Sequence, residues 1–255
     1  MQIDPRDEPF LSPATPQADG QRVGVLLSQG FTGTPSSVRP WGEFLASHGY
    51  AVSAPRLPGH GTKWQDLNTK RWPDWYDEIQ MAFDKLRADC DQVVVGGLSM
   101  GGSLVLKLAA ERGREVAGVM LVNPAVNIAR FDVKLVPVLK HIVPFMPGIA
   151  SDIKKPGVEE RGYRQTPLKA AHSMLQGYKG VRADLPSVTQ PMLMMTSTVD
   201  HVVDPSSARI IRTTVSSRDL NELRLENSYH VATLDNDAPA IHDAALAFVK
   251  RVTGP

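Results

Sequence analysis

A glycine-flanked serine at residues 97–101 constrains this chain more than any other feature of its sequence. The five residues are Gly-Leu-Ser-Met-Gly, and they follow the apolar run at 93–95 and precede a helical pattern. A serine at a sharp strand-to-helix turn needs small residues two positions before and after it, because larger side chains would collide across the turn. Gly97 and Gly101 satisfy that need, and the free N–H groups of the helix start favour negative charge nearby. The sequence therefore predicts a reactive Ser99 whose hydroxyl is clear of the sheet.

Two other interpretations of the same residues remain open at this point. A glycine-rich turn with an incidental serine at a helix N-terminus has the same five letters, and such matches occur by chance. A phosphate-binding loop would need G-x-G-x-x-G or G-K-[ST], and neither pattern is present in the chain. The strand before the serine and the helix after it favour the reactive-serine interpretation.

Short runs of β-branched and apolar residues alternate with longer helical patterns along most of the chain. This alternation predicts an α/β fold, with a mostly parallel central sheet and helices on both of its faces. The strands are almost purely apolar, as in VVV and LMM, which is typical of strands that are buried on both sides. We predict strands at 23–27, 51–54, 93–97, 116–122, 192–196 and 223–225, and helices at 38–48, 72–88, 100–111, 205–214 and 237–252.

The stretch from residue 126 to residue 181 interrupts this alternation and contains no predicted strand. Its part at 135–150 is apolar, rich in proline and irregular, and a helical stretch containing Ala170 and Ala171 follows. Because the stretch separates the fourth and fifth predicted strands, we expect an insertion that covers one edge of the sheet as a small cap. The predicted organisation is an N-terminal arm at 1–21, a core at 22–125 and 182–255, and a cap insertion at 126–181.

The composition excludes several classes of protein. A formal net charge of +1 over 255 residues provides no overall field that would attract nucleic acid or an anionic membrane. No apolar stretch approaches the ~18 residues of a membrane-spanning helix. Residues 1–20 hold four prolines without the basic and apolar segments of a signal peptide, so we expect a loosely ordered arm. The single cysteine, Cys90, is assigned to packing; it permits no intramolecular disulfide, which favours a cytoplasmic protein.

A reactive serine of this kind needs a histidine as base, and the usual chain order is serine, acid, histidine. Of the seven histidines, three follow the fifth predicted strand: His201, His230 and His242. His242 lies inside the last predicted helix, where a surface or packing role is expected. His230 lies in a polar loop after the last predicted strand, the position from which a base reaches the serine. We therefore predict His230 as the base.

The acid is predicted in the segment TSTVDHVVDP, which contains Asp200 and Asp204. Asp200 is nearer to the end of the preceding strand, on the loop that is expected to face His230. Asp204 precedes a proline at a helix start and is typical of a helix N-cap. We therefore predict Ser99, Asp200 and His230 as a catalytic triad, with His201 as a neighbour in the acid loop and Asp235 and Asp237 as helix-start residues.

A carbonyl group that is attacked by Ser99 develops a negative oxygen, which needs two N–H donors. The residue after the nucleophile, Met100, is expected to supply one main-chain donor. The loop after the first predicted strand, QGFTGT at 29–34, has glycines that let the backbone approach the same oxygen. We predict Phe31 as the second main-chain donor, with its ring beside the acyl group. An ordinary strand-to-helix turn is the alternative for this loop.

A set of motifs resembles those of a known family. In chain order they are QGFTGTP, GYAVSAPRLPGHGT, GGLSMGG, STVDHVVDP and NSYHVATLD. Their order and spacing are similar to those of the bacterial carboxylesterases and monoacylglycerol lipases of the α/β-hydrolase fold, over nearly the whole chain from about Arg22. The resemblance implies the same triad and the same oxyanion donors, and it assigns His60, in PGHG, to a structural loop. One departure is Gln29, where many members have histidine.

The predicted insertion resembles the small cap of these enzymes, which covers the acyl pocket and limits substrate size. Within it, SDIKKPGVEERGY at 151–163 is similar to the cap segment of bacterial monoacylglycerol lipases. The resemblance implies that Ile149 and Glu160 line the alcohol pocket, with Glu160 accepting hydrogen bonds from a glycerol head. A solvated face is the alternative for Glu160. The candidate acyl-pocket residues, which fit the core of the cap equally well, are Phe145, Met146, Met174 and Leu175.

The resemblance implies hydrolysis of carboxylic esters with short-to-medium acyl chains, monoacylglycerols included, through an acyl-enzyme on Ser99. The alternatives are acyl transfer on the same triad, a non-catalytic ligand-binding protein on a hydrolase scaffold, and a membrane-surface protein acting through 135–150. No HExxH motif and only one cysteine are present, so neither a metal site nor a cofactor is predicted. The expected partner is a small-molecule ester, with no nucleic acid and no membrane span, and the oligomeric state stays open.

Overall fold

The structure, a computed structural model, describes residues 3–17, 20–129, 132–149 and 151–254. Predictions for the other residues, in the arm, in the insertion and at residue 255, lie outside the described residues. The strands are β1 (Phe10–Ser12), β2 (Val23–Ser28), β3 (Ala51–Ala54), β4 (Gln92–Leu98), β5 (Val116–Val122), β6 (Phe145–Pro147), β7 (Gln165–Pro167), β8 (Met192–Ser197) and β9 (Leu220–Leu225). The helices are α1 (Arg39–Ser47), α2 (Trp64–Leu67), α3 (Trp72–Asp89), α4 (Met100–Arg112), α5 (Val136–Leu139), α6 (Leu168–Asp184), α7 (Ser206–Thr214) and α8 (Ala238–Thr253). None of these described helices combines the length and the apolar character that a membrane span requires.

Within the described residues, seven strands form one sheet in the order β1-β3-β2-β4-β5-β8-β9. Every neighbouring pair is parallel except β1 with β3. The predicted α/β fold, with a mostly parallel sheet and helices on both faces, is therefore confirmed. The last strand, β9, begins three residues earlier than predicted, because its partly exposed first residues lack an apolar pattern.

Part of the N-terminal arm is better ordered than the sequence predicts. Phe10–Ser12 pairs antiparallel with β3, so that Phe10 lies opposite Ala54. The Phe10 ring fills the space beside Gly42 of α1, where a Cβ would lie 3.2 Å from a ring carbon. A three-residue strand whose middle residue, Leu11, is exposed has no recognisable period. The expectation of a loosely ordered arm is therefore wrong for these residues.

Side chains that alternate along the strands divide the hydrophobic core into two layers. On β4, Val93 and Val95 face the layer that contains α3, α4 and α6, whereas Val94 and Leu98 face the layer that contains α1 and α8. Both faces of the sheet are thus covered by helices. This arrangement explains why the central strands carry apolar residues without the polar alternation of a half-exposed sheet.

The chain leaves the centre of the sheet in opposite directions after β2 and after β4. Strand β3 lies on one side of β2, whereas β4 lies on its other side and leads towards β5. The register pairs Ser28, the last residue of β2, with Gly97 near the end of β4. The loops that follow these two strands therefore meet at the carboxyl edge of the sheet, which is where open α/β sheets bind ligands.

The segment between β5 and β8, which the sequence analysis assigns to an insertion, contains two strands that the sequence does not predict. Strands β6 and β7 pair antiparallel, with Met146 opposite Thr166. Each is three residues long and ends in proline, so neither shows the alternation of a typical strand. The expectation that this stretch contains no strand is therefore wrong.

Helix α6 packs the insertion against the core. Its buried Met174 and Tyr178 belong to the same apolar layer as α3, and Trp72 N–H donates a hydrogen bond to Ser173 Oγ at 2.9 Å. Gly177 faces the buried Trp72 indole, where a Cβ would lie 2.1 Å from a ring carbon. The close approach of α6 to α3 therefore depends on the absence of a side chain at residue 177.

Gly177→Ala is expected to lower the free energy of unfolding by about 1–3 kcal/mol, because the added methyl group meets a buried indole that cannot move aside. The matched control on the same helix is Gly180→Ala, where a Cβ meets no atom within 4 Å. Alanine there is expected to raise the free energy of unfolding by about 0.5–1 kcal/mol through its higher helix propensity. Urea unfolding followed by circular dichroism measures both variants, and equal shifts would contradict the close contact.

Candidate active site

Ser99 joins β4 to α4 in a strained backbone conformation, with φ 55° and ψ −117°. A positive φ is uncommon for a residue other than glycine, and such strain persists only where the surrounding structure enforces it. Here the Ser99 N–H donates to Val122 O at 3.0 Å, and the Ser99 carbonyl accepts from Gly102 N at 3.0 Å. These hydrogen bonds hold the turn between the carboxyl ends of β4 and β5, and they place Ser99 where the sequence predicts it.

Two glycines make the close approaches that this turn requires. A Cβ at Gly97 would lie 2.3 Å from the carbonyl carbon of Gly101, and a Cβ at Gly101 would lie 2.2 Å from the carbonyl oxygen of Ser28. Both neighbours are backbone atoms, which cannot rotate away as a flexible side chain can. The predicted need for small residues two positions before and after Ser99 is therefore confirmed.

The loop after β2, which we call the oxyanion loop (residues 29–34), runs directly beside Ser99. A Cβ at Gly30 would lie 3.3 Å from Ser99 Cβ, so the absence of a side chain lets this loop reach the serine. Within the described part of the chain, the N–H groups of Phe31 and Met100 donate to no other protein group. Both predicted oxyanion donors thus lack a competing acceptor.

The Phe31 ring is held by two buried aromatic side chains. Its centroid lies 5.7 Å from that of Trp75 and 6.3 Å from that of His60, with the rings edge to face. Burial lowers the pKa of His60 to about 4, so this ring is neutral near pH 7. His60 is absent from the lining of the cavity that contains Ser99. His60 therefore supports the oxyanion loop through its contact with the Phe31 ring, which agrees with the structural role that the resemblance implies.

Gln29, the departure from the family pattern, makes a hydrogen bond across the oxyanion loop. Its side-chain Nε2 donates to the carbonyl oxygen of Gly33 at 3.2 Å. From the other side, the Tyr163 N–H of the insertion donates to Thr32 O at 3.1 Å, and Thr32 has a positive φ of 66°. The loop is therefore fixed jointly by a buried glutamine and by the insertion.

His230 and Asp200 form a buried pair at the same edge of the sheet. His230 Nδ1 lies 2.8 Å from Asp200 Oδ2, and the two side chains are 8% and 9% exposed. The second carboxylate oxygen, Oδ1, accepts the N–H groups of Val202 and Val203 at 2.8 Å each. Because one oxygen is bound by the backbone and the other faces the imidazole, the carboxylate is fixed in the orientation that a base–acid pair requires.

One cavity has both Ser99 and His230 in its lining, together with Gly30 and Phe31 of the oxyanion loop. Most of the remaining wall is apolar and comes from the insertion and from the loop after β5. Of the residues that the sequence predicts for substrate binding, the cavity is lined by Phe31, Met146, Ile149, Glu160, Met174 and Leu175. Ser99 and His230 therefore share one cavity with these side chains, and their catalytic and binding roles stay predictions.

Phe145, also predicted for the acyl pocket, lies outside the cavity. Its ring packs against Trp64 with the centroids 4.8 Å apart, and the side chain is 39% exposed. Successive side chains of a strand point to opposite faces, so Phe145 and Met146 of β6 cannot both face the cavity. The prediction is wrong for Phe145 because the three-residue strand β6 is not recognisable in the sequence.

Glu160 brings a carboxyl group into the cavity beside the oxyanion loop. Its Oε1 lies 2.7 Å from the position that a Cβ on Gly33 would take, and its N–H donates to Ser151 Oγ at 2.8 Å. Burial raises the pKa of Glu160 to about 7, although the charge of His230 acts in the opposite direction. The half-buried Glu160 therefore lines the cavity, which argues against a fully solvated side chain.

Sequence reasoning missed Asn123, which connects the ends of three segments of the site. Its Oδ1 accepts the Ser197 N–H at 2.8 Å, and its Nδ2 donates to the carbonyl oxygen of His230 at 2.8 Å. Asn123 therefore links the end of β5 to the strand before Asp200 and to the loop of His230. The sequence feature that could have identified Asn123 is its position as a lone polar residue directly after an apolar strand.

The other acidic candidates have structural roles. Asp204 caps the start of α7, as predicted, because its Oδ1 accepts the Ser206 N–H at 2.8 Å. Asp237 precedes α8 and accepts the Asn227 N–H at 2.8 Å. Asp235 binds main-chain groups of the insertion and of the His230 loop instead of capping the helix. Among the described residues, no group of three or more His, Cys, Asp or Glu side chains is placed to hold a metal ion.

Known proteins are similar to this chain over almost its whole length. A family model described as serine aminopeptidase, S33, matches residues 20–237. A thermostable monoacylglycerol lipase of Bacillus sp. (strain H-257) is 39% identical over 247 residues, which cover 96% of this chain and 98% of that protein. A carboxylesterase of Bacillus subtilis (strain 168) is 25% identical over 91% of this chain and 94% of that protein.

A solved structure of a lipolytic enzyme is also similar to this chain in fold. One of the metagenome-derived lipolytic enzymes LipS and LipT superimposes with a TM-score of 0.93 at 38% identity. The alignment covers 98% of this chain and 100% of that chain. The insertion and the core therefore both have a counterpart in that structure.

Asp200→Asn is expected to lower kcat for a p-nitrophenyl ester by about 10³–10⁴-fold, because an amide does not hold the imidazole in the tautomer that accepts the serine proton. Asp204→Asn makes the same change four residues away, on a carboxylate that accepts the main-chain N–H groups of Ala129 and Ser206. It is expected to keep kcat within about threefold, in line with its capping role. Steady-state kinetics on both variants measure this, and a larger loss for Asp204→Asn would reverse the assignment of the acid.

Proposed function

This chain belongs to the serine aminopeptidase, S33 family of α/β-hydrolases, and we propose that it acts on carboxylic esters with short-to-medium acyl chains, monoacylglycerols included. The chain is an enzyme, a serine hydrolase, and the family resemblance that the sequence predicts is confirmed. The observation that carries the proposal is the meeting of Ser99 with the His230–Asp200 pair at one apolar cavity.

In the proposed reaction, Ser99 Oγ attacks the ester carbonyl carbon while His230 accepts the serine proton. Asp200 holds the imidazole in position and stabilises its positive charge. The carbonyl oxygen becomes negative and is bound by the main-chain N–H groups of Phe31 and Met100. His230 then donates its proton to the leaving alcohol, and an acyl-enzyme forms on Ser99. A water molecule, activated by His230, releases the carboxylic acid.

The chemistry of the cavity supports an amphipathic ester as substrate. Its apolar wall, with Met146 and Met174, fits an acyl chain, whereas Glu160 beside the oxyanion loop offers acceptors to hydroxyl groups. A monoacylglycerol has both parts, and the relative at 39% identity is named a monoacylglycerol lipase. Ile149 lines the same cavity and would contact the alcohol part of the ester, as the family resemblance implies.

Two of the three alternative functions, the non-catalytic scaffold and acyl transfer, have less support. A non-catalytic ligand-binding scaffold does not require a nucleophile at a strained turn or a histidine paired with a buried carboxylate, and both features are retained. Acyl transfer would require a cavity that retains an acceptor alcohol and excludes water during the lifetime of the acyl-enzyme. The polar residues beside the oxyanion loop suit a leaving alcohol equally well, so hydrolysis is the simpler reaction.

The proposal also includes a cytoplasmic location. The supporting observation is that Cys90 is buried and forms no disulfide, so the described fold gains no stability from an oxidising compartment. Cell fractionation with detection of the chain by an antibody tests this part of the proposal.

Turnover of a chain-length series of p-nitrophenyl esters and monoacylglycerols tests the activity. Ser99→Ala is expected to lower kcat/KM by at least about 10³-fold, because the nucleophile is lost while binding is retained. Ser47→Ala, an exposed serine of α1, is the control and is expected to keep the parental rate. Equal rates for the parent and Ser99→Ala would reject the proposal, and formation of a new ester in place of free acid would favour acyl transfer.

Glu160→Gln is expected to change the pH dependence of monoacylglycerol binding. Since the pKa of Glu160 is about 7, the carboxylate becomes ionised as pH rises from about 6 to 8, and the ionised form accepts hydroxyl hydrogen bonds more strongly. KM of the parent for monoacylglycerol should therefore fall over this range, whereas KM of Glu160→Gln should stay flat and be about 5–10-fold higher at pH 8.

The same kinetics on p-nitrophenyl acetate, which lacks free hydroxyls, are the internal control for that variant. KM for this ester is expected to be the same in the parent and in Glu160→Gln at each pH. An identical pH dependence of monoacylglycerol KM in both proteins would remove Glu160 from the alcohol pocket.

A further inference from the structure

One carboxylate of the insertion binds both of the loops that carry the His230–Asp200 pair. Asp152 Oδ2 accepts the main-chain N–H of His201 at 3.2 Å and that of His230 at 3.1 Å. Asp152 Oδ1 lies 2.8 Å from Nδ1 of the His201 imidazole. The Asp152 side chain is only 9% exposed, which shields its carboxylate from water, whereas the His201 side chain is 53% exposed.

These contacts act on the spacing of the candidate acid and base. His201 directly follows Asp200 in the chain, so the Asp152 oxygen that binds the His201 and His230 N–H groups holds the two loops at a fixed separation. The contact between His230 Nδ1 and Asp200 Oδ2, at 2.8 Å, spans the same two loops. A shift of either loop would lengthen the contact between His230 and Asp200. Misplacement of catalytic groups by about 1 Å lowers reaction rates by about 10²-fold.

A second carboxylate, that of Asp235, follows His230 in the chain and binds main-chain N–H groups of the insertion. Asp235 is 1% exposed, and its oxygens accept the N–H groups of Lys154 and Lys155 at 2.7 and 2.9 Å. The same side chain accepts the N–H of Tyr229, which directly precedes His230, at 2.9 Å. A carboxylate of the segment 152–155 therefore accepts a main-chain N–H of the His230 loop, and a carboxylate of the His230 loop accepts main-chain N–H groups of that segment.

We propose that Asp152 is a positioning residue for the triad, which it serves by holding the His201 and His230 backbones in register from the insertion. This inference rests on the proposed function, because it assigns a role within that reaction. Asp152 also lines the cavity, but among the described residues its side-chain hydrogen bonds go to the two main-chain N–H groups and to the His201 imidazole, not to the His230 imidazole. Residues 152–155 of the insertion thus hold the loops of the candidate acid and base in place.

A merely structural role for Asp152 is separable from a positioning role by a set of three variants. Asp152→Leu has a similar size but no acceptor, whereas Asp152→Asn keeps a carbonyl oxygen that can accept the His201 and His230 N–H groups. Ser173→Ala is the matched control, because Ser173 Oγ of the insertion also accepts a main-chain N–H from the core, that of Trp72 at 2.9 Å, and Ser173 is absent from the lining of the cavity.

Kinetics on p-nitrophenyl acetate, the smallest ester, report chemistry with little contribution from the pocket. Asp152→Leu is expected to lower kcat about 10–100-fold with KM within about threefold. The conservative Asp152→Asn is expected to restore kcat to within about threefold of the parent, and Ser173→Ala to keep it within about twofold. Parental kcat in Asp152→Leu would overturn the proposal. Loss in Asp152→Asn equal to that in Asp152→Leu would also overturn it, since charge and not the acceptor would then matter.

Covalent labelling of Ser99 separates failure of this inference from failure of the proposed function. A p-nitrophenyl phosphonate reacts with an activated serine whether or not any ester is turned over, so its inactivation rate reports the positioned His230 directly. A rate at least about tenfold slower in Asp152→Leu, with Ser173→Ala unchanged, would support positioning even without ester hydrolysis. Equal labelling rates in parent and Asp152→Leu would reject it, with each protein assayed at a temperature at which circular dichroism shows it folded.

Discussion

The contact between the end of β2 and the start of α4 is the constraint on which the rest of the site depends. Only a glycine at residue 101 lets the helix start reach the carbonyl oxygen of Ser28, and this approach places the oxyanion loop beside Ser99. Because both elements belong to a core buried on either side, the main-chain N–H groups of Phe31 and Met100, the candidate oxyanion donors, have fixed positions. Preorganised donors of this kind are the main source of oxyanion stabilisation. The strain at Ser99 and Thr32 is sustained by that core.

Features that depend on neighbouring residues could be predicted from the sequence. Steric crowding at the turn identifies Ser99, apolar runs identify the parallel strands, and the proline after Asp204 distinguishes a helix cap from the acid Asp200. Each of these conclusions uses residues within one turn or one strand, where local geometry is decisive. The catalytic roles themselves stay predictions, although the 2.8 Å contact between His230 and Asp200 gives them a geometric basis.

Features that depend on contacts across the fold could not be predicted. The bond from Asn123 to His230 spans 107 residues, and the bond from His230 to Asp152 spans 78 residues. A lone asparagine or aspartate in a loop has many possible partners, and only the three-dimensional arrangement selects one. The short strands β1 and β6 were missed for a related reason, because their pairing partners, and not their own three residues, make them strands.

Helix α6 has a consequence for how this enzyme can change. Its Met174 and Tyr178 line the cavity and also belong to the hydrophobic core that packs on α3, so one set of side chains serves both purposes. Selection for a longer or shorter acyl chain would act on these positions, and any change of volume there would also disturb core packing. Substrate range and folding stability therefore depend on the same side chains of α6. Variants with a new substrate range would need compensating substitutions elsewhere before they could persist.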